Sequence, residues 1–345
     1  MHGFRQRWVL RDRSRIGLQA PFAPRLGELL GIGCQPFLID PRAMSEAHVV
    51  GIAVVRAIAH ATTTAPFRSR GGRPVLVSPE RWSHDVAGLP AGAVVSAGSA
   101  LDATRLALHY ALRDLILVGS ATVAAEGLPG GAAAPWSWQA DTPLSFGALA
   151  AVRARLETGL AETRRDWQAR GLLSARERPG LVVVTAARDV DRPAWLAAPA
   201  LHRHPDGRPA ETWLLTSEAG ARRAAAWVEG STLRVLGCSP TGAPARVDLA
   251  AIPRLLRKRL DARLVGHDGG RATLAAFQAA GALPQLDLTL VGAPTIAETH
   301  PGRRATRFFG AGAACRGAPP MAALLAGGGE HTWVATLDLR EGAAT

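Results

Sequence analysis

The chain has 345 residues, 48% of them hydrophobic and 20% charged, which supplies a sizeable core and excludes a disordered chain; the length allows one or two domains and argues against three. Its formal charge is +12, yet all but one of the forty basic residues are Arg, the exception being Lys258, and they are spread along the chain. That pattern reads as a bias of composition rather than as a binding surface, since the Arg clusters at 254–259 and 303–307 lack the interleaved aromatics of a single-strand groove. No apolar run approaches the length needed to cross a bilayer, and the basic start lacks the apolar segment of a secretory signal, so the cytoplasm is the expected location. Three widely spaced cysteines, Cys34, Cys238 and Cys315, give neither a disulfide framework nor a cysteine-rich metal site.

In chain order, residues 1–70 read as an N-terminal extension: a basic start, a Pro-bounded stretch at 21–41 and an apolar run at 48–60. The Ser69-Arg70-Gly71-Gly72 stretch reads as a turn or linker and sets the domain boundary, with one domain from 71 to 340. Strands are expected at 74–78, 93–96 and 115–119, with a helix at 100–113 between the last two. A Gly/Ala/Pro-rich loop at 127–143 leads to a long polar helix over 146–170. Beyond it come strands at 181–185 and 212–216, a helix at 218–228, a strand at 233–238 and a helix at 250–259. A strand at 263–266, a helix at 271–280, a strand at 286–291 and a final edge strand at 331–339 complete the series. Strands alternating with helices predict a central, mostly parallel sheet covered on both faces.

Ligands of such sheets sit at the carboxyl ends of strands, where turns expose backbone N–H groups. Three turns have suitable chemistry. In LILVGSATV, Gly119 permits close approach and Ser120 and Thr122 offer hydroxyls. In VVVTAARDVDR, Thr185 ends the strand and Arg188 and Arg192 follow. In LVGHDGGRATL, Gly269 and Gly270 let backbone approach a pyrophosphate and Thr273 sits in the next helix. Taken singly each is an ordinary turn; their ordered recurrence after β-runs is what carries weight. Acid–base candidates are Asp268 and Glu80, with Asp85, His84 and His267 beside them.

Two stretches resemble a known family. SALDATRLALHYALRDLILVGSATVAAEG, from Ser99, and VDLAAIPRLLRKRLDARLVGHDGGRATLAAFQAAGALPQLDLTLVGAPTI, from Val247, are similar to the two signature segments of the reductase domain of bacterial riboflavin biosynthesis, a member of the dihydrofolate-reductase-like superfamily. The resemblance covers about residues 73–339. It implies a three-layer α/β fold, a homodimer, NADPH as cofactor and a small heterocyclic, pyrimidine- or pteridine-like substrate. By that resemblance Gly119, Ser120 and Thr122 meet the cofactor phosphates, and Gly269 and Gly270 lie under the pyrophosphate. Thr185 and Arg188 or Arg192 lie near the adenosine 2′-phosphate. Gly269→Val is then expected to weaken nucleotide binding without unfolding the domain.

The chain departs from the family on the substrate side. The Ser-x-Asp-Gly turn after the first strand is missing, Asp268 stands where the family has Glu, and Pro284-Gln285 replaces the Asp-Glu pair. The H-x-E and P-C-x-x-C of the deaminase partner are absent from the first 70 residues. Two alternatives follow: a binding protein that keeps a nucleotide or flavin without turnover, and an Arg-rich nucleic-acid-binding protein, whose mark is a steep salt dependence of affinity.

Overall fold

The β-branched and leucine-rich runs of the sequence lie side by side in one sheet. The computed structural model describes residues 42, 44–57, 67–70, 73–76, 83–86, 109–126, 153–187, 191–204, 207–292, 305–307, 321–327 and 330–338. Its strands are β1 (His48–Ala57), β2 (Phe67–Arg70), β3 (Arg73–Leu76), β4 (Ser83–Val86), β5 (Leu115–Gly119), β6 (Gly180–Val184) and β7 (Thr212–Thr216). They continue with β8 (Arg234–Gly237), β9 (Leu264–His267), β10 (Gln285–Gly292), β11 (Ala305–Arg307), β12 (Met321–Gly327) and β13 (Glu330–Asp338). The helices are α1 (Ser120–Glu126), α2 (Arg153–Ala169), α3 (Glu218–Val228), α4 (Ile252–Leu260) and α5 (Arg271–Ala279).

Strands β10, β1, β9, β5, β6, β7 and β8 are neighbours in that order and all parallel. Strand β13 pairs antiparallel with β10, and β12 antiparallel with β13. Alternation along β5 sends Leu115 and Leu117 to one face and Ile116 and Val118 to the other, and all four are buried. The first face packs with Val265 and Leu286 against Ile252, Leu256 and Leu260 of α4 and Leu274 and Phe277 of α5. The second packs with Leu181, Val183 and Leu214 against Val123 of α1 and Ala224 and Trp227 of α3. Trp167 of α2 joins Val50, Leu173 and Leu264 on the same side. Helices on both faces of a mostly parallel sheet give the expected three layers.

Local chemistry explains the helix ends. Ser217 caps α3, its side chain accepting from Gly220 N at 3.0 Å, and the buried Gly220, Ala224 and Trp227 follow at helical spacing. In α4, Pro253 is tolerated in the first turn, and Asp261 closes the helix in the left-handed region at φ 47°.

At the amino edge of the sheet, the buried Asp114 carboxylate ties three segments together. Its Oδ1 accepts from Ser174 N and Oγ at 2.8 and 2.7 Å, and its Oδ2 from Arg263 N and Leu264 N at 2.7 and 3.1 Å. Asp114 N also donates to Leu264 O at 2.8 Å, which fixes the start of β5 beside the start of β9.

Three expectations are corrected. The apolar run at 48–57 is β1, seated between β9 and β10, so the sheet begins ahead of the boundary drawn at residue 71. Of the turn or linker expected at Ser69–Gly72, the turn holds and the linker does not: Ser69 and Arg70 end β2, which pairs antiparallel with β3, Arg70 opposite Arg73. Strand β12 was not expected, because its sequence, MAALLAG, contains no β-branched residue. The strand expected at 93–96 lies outside the described residues, as does the start of the helix expected at 100–113, of which 109–111 are helical.

Candidate functional site

Strands β5 and β9 are paired in parallel, Leu115 opposite Val265 and Leu117 opposite His267, so the turns that follow them leave the sheet side by side. The start of the second turn is held to β5, with Asp268 N donating to Leu117 O at 2.8 Å. A Cβ at Gly119 would stand 3.1 Å from Thr273 Oγ1 and 4.0 Å from Thr122 Oγ1. The structure therefore brings Gly119, Thr122, Gly269, Gly270 and Thr273 together, with Ser120 opening α1 beside them.

The two glycines of the second turn differ. Gly269 is buried, and a Cβ there would fall 2.4 Å from His267 Cε1 and 2.9 Å from Thr273 Cβ. Its lack of a side chain answers to the protein's own packing, so Gly269→Val strains the turn itself and the expectation of an undisturbed domain is withdrawn. Gly270 is exposed, and among the described residues a Cβ there meets only Thr122 Oγ1, at 4.0 Å. Gly270 is also the N-cap of α5 with no side-chain cap, which leaves the first N–H groups of that nine-residue helix without an intrahelical partner.

Asp268 is half-buried at the start of this turn, and its Oδ2 accepts from the hydroxyl of Tyr110. Preceding it, His267 points to the opposite face of the sheet, fully buried and edge-on to Phe277 with ring centroids 4.6 Å apart. His267 Nδ1 accepts from Gly269 N at 3.1 Å, so the neutral ring carries its proton on Nε2, which finds no partner among the described residues. Desolvation by burial pushes the imidazole down to about 4. The folded state thus resists protonation that the unfolded chain accepts, and stability falls as pH drops from the ordinary histidine range towards 4, levelling off below it. The expected loss is about 3 kcal/mol for this one group. Denaturation measured across that window should show a flatter profile in His267→Asn, whose side-chain oxygen still accepts from Gly269 N; an unchanged profile would remove His267 as the cause.

Other expected site residues are placed differently. Thr185 directly follows β6, the neighbour of β5, so it reaches the same edge of the sheet; it is buried, and its Oγ1 accepts from Ala187 N at 3.2 Å, Ala187 standing at φ 45°. The Arg192 Nε donates to Trp227 O at 2.9 Å, in the last turn of α3. Because α3 runs back between the parallel strands β7 and β8, that turn lies at the amino edge, away from the glycine turns. Glu80 and Arg188 lie outside the described residues. Tyr110 was missed from sequence; its one visible signal was that it is the only tyrosine of the chain. Among the described residues no group of three His, Cys, Asp or Glu is placed to hold a metal ion, and no helix is long and apolar enough to cross a membrane.

Fold and site together define an α/β protein with a seven-stranded parallel core whose glycine-bearing turns meet at the carboxyl ends of β5 and β9. No family model matches the sequence, and no curated protein matches it. Among solved structures the chain is similar to a pyrimidine reductase-like protein from Corynebacterium diphtheriae, at 13% identity over 90% of this chain and 98% of that one, with a TM-score of 0.48. It is similar to the riboflavin biosynthesis reductase Rib7 of Saccharomyces cerevisiae, at 11% identity over 90% and 99% of the two chains, with a TM-score of 0.44. A third similarity is to Acinetobacter baumannii RibD, at 13% identity over 86% of this chain and 58% of that one, with a TM-score of 0.40.

Proposed function

We propose that this chain is an NADPH-dependent reductase of a heterocyclic, pyrimidine- or pteridine-like substrate, related to the pyrimidine reductases of riboflavin biosynthesis and acting as a cytoplasmic homodimer. The observation that carries the reading is the meeting of the two glycine turns, with Gly270 exposed at an uncapped helix N-terminus. That arrangement suits a pyrophosphate: a helix N-terminus offers N–H groups and a dipole that favours an anion, the hydroxyls of Thr122 and Thr273 stand beside Gly119, and Ser120 opens α1 next to them. Thr185 extends the same edge towards an adenosine. With Arg192 committed to Trp227 O, the 2′-phosphate falls to Arg188.

A bound nicotinamide supplies the hydride. The chain's own part is to bind, orient and manage the proton, which Asp268 does through its half-buried carboxylate beside the glycines, with Glu80 as a second acid. Titrating the protein with NADPH, NADH and FMN at two salt concentrations, followed by cofactor fluorescence, tests this. NADPH is expected to bind at least about tenfold tighter than NADH, a difference of about 1.4 kcal/mol. Preference for FMN would favour a flavin-binding protein. Absence of binding by all three, with salt-sensitive binding to nucleic acid instead, would replace the reductase reading.

A further inference from the structure

Asp268 has a partner that the sequence pattern did not mark. Tyr110 is fully buried, and its hydroxyl donates to Asp268 Oδ2. A phenol buried this deeply needs a polar partner, and here it finds a carboxylate, the strongest kind of acceptor available to it. The backbone that carries Tyr110 is fastened on both sides. Arg164 Nη1 donates to the carbonyls of Ala111 and Arg113 at 2.9 and 2.8 Å, satisfying oxygens that the end of a helix leaves open. On the sheet side, Arg113 Nη2 donates to His109 Nδ1 at 2.8 Å, and Asp287 Oδ2 stands 3.7 Å from His109 Nδ1 and 3.9 Å from Arg113 Nη2. Asp287 accepts in turn from Gln285 at 3.1 Å, and Gln285 Oε1 is 3.0 Å from His48 Nε2. Every side chain in this network is buried, so the segment 109–113 is held without solvent to soften it.

We propose that Tyr110 is the positioning residue of the candidate site, its hydroxyl holding the ionised Asp268 carboxylate at the entrance to the glycine turn. The proposal rests on the reading of that turn as the reductase's cleft. An anion bound over Gly270 would lie close to the Asp268 charge, and a hydroxyl drawing that charge towards the core lowers the repulsion and fixes the side chain's direction. Among the described residues, the His109 ring centroid is 6.4 Å from that of Tyr110, Arg113 stands on the same segment with Asp287 of β10 beside it and His109, and His48 of β1 joins them through Gln285. Tyr110 shares its core cluster with Ile52 of β1, Ile116 and Val118 of β5 and Val123 of α1.

Because the chain has one tyrosine, the ultraviolet absorbance of tyrosinate reports Tyr110 alone in the intact protein. Ionising the phenol beside a carboxylate sets two anions together, so Asp268→Asn, which keeps the shape and an accepting oxygen, should let tyrosinate form about one pH unit lower, a tenfold change in the ionisation constant. The converse variant, Tyr110→Phe, should move the titration of the Asp268 carboxyl, followed by carbon NMR, to higher pH. It should also weaken NADPH several-fold at neutral pH. Tyrosinate forming at the same pH in Asp268→Asn, or an Asp268 titration unmoved in Tyr110→Phe, would overturn the proposal. Failure of NADPH to bind the unmodified protein would instead overturn the reductase reading, and the two titrations would still decide the pair.

Discussion

Asp114→Ala is expected to cost the protein roughly 4 kcal/mol, from two buried and one part-buried backbone N–H groups left without an acceptor at about 1–3 kcal/mol each and partial relaxation around them. The groups are Ser174 N, Arg263 N and Leu264 N, and the Ser174 hydroxyl loses its acceptor as well. A domain's total stability is of the order of 5–15 kcal/mol, so the variant should lose a large part of its resistance to urea, with a lower transition midpoint. The effect reaches the candidate site, because Asp114 aligns β5 with β9 and the glycine turns hang from the far ends of those two strands. The exposed pair Arg208–Glu177, 2.9 Å apart, provides the control: Arg208→Ala should change stability by less than about 1 kcal/mol. Equal midpoints for Asp114→Ala and the unmodified protein would mean that water replaces the carboxylate and that it is not the tie described.

The adjacent glycines give the second large effect, and they separate packing from binding. Gly270→Val places its side chain at an exposed position where the new Cβ makes only ordinary contact with Thr122 Oγ1 among the described residues, at backbone angles of φ −59° and ψ 166° that any residue adopts, so the fold should be unaffected. The same side chain fills the room over the uncapped helix, and NADPH affinity should fall at least about tenfold. Gly269→Ala should do the reverse in kind. Its Cβ, 2.4 Å from the His267 ring, overpacks the turn and should lower stability by roughly 1–3 kcal/mol even without nucleotide. Calorimetry of both variants, with and without NADPH, checks the assignment; a Gly270→Val protein that binds as well as the original would move the ligand elsewhere.

Much of the fold was legible because its signals are local. The strand at 212–216 and the helix at 218–228 coincide with β7 and α3, where a branched apolar run, a Ser cap and buried positions at helical spacing agree. Strand β12 was invisible for the opposite reason: alanine, leucine and glycine have little strand preference, and pairing with β13 decides the conformation. The placement of β1 inside the sheet was also out of reach, since its parallel partners β9 and β10 come far later in the chain and periodicity carries no information about pairing. At the site, the glycine and hydroxyl residues of two turns could be picked out because each follows a β-run. Their adjacency could not, nor could the bond between Tyr110 and Asp268, which joins positions 158 residues apart. Arg192 shows the limit of reasoning from residue type, because a guanidinium near a strand end serves equally to hold a helix carbonyl.

The place of β1 also governs how the molecule forms. His48 and Gln285 meet across 237 positions of sequence, and β1 lies between two strands that leave the ribosome only after most of the chain. The strands β5 to β8 are consecutive in sequence and can associate as they emerge, whereas β1, which meets the nearby β4 only where Arg56 faces Ser83, must wait for its two long partners until β9 and β10 arrive. Assembly is therefore ordered from the β5–β8 side towards β10, with the joining of β1 coming late. A nascent chain halted before β9 holds one part of the sheet and an apolar strand still lacking both parallel neighbours, the kind of intermediate on which chaperones act.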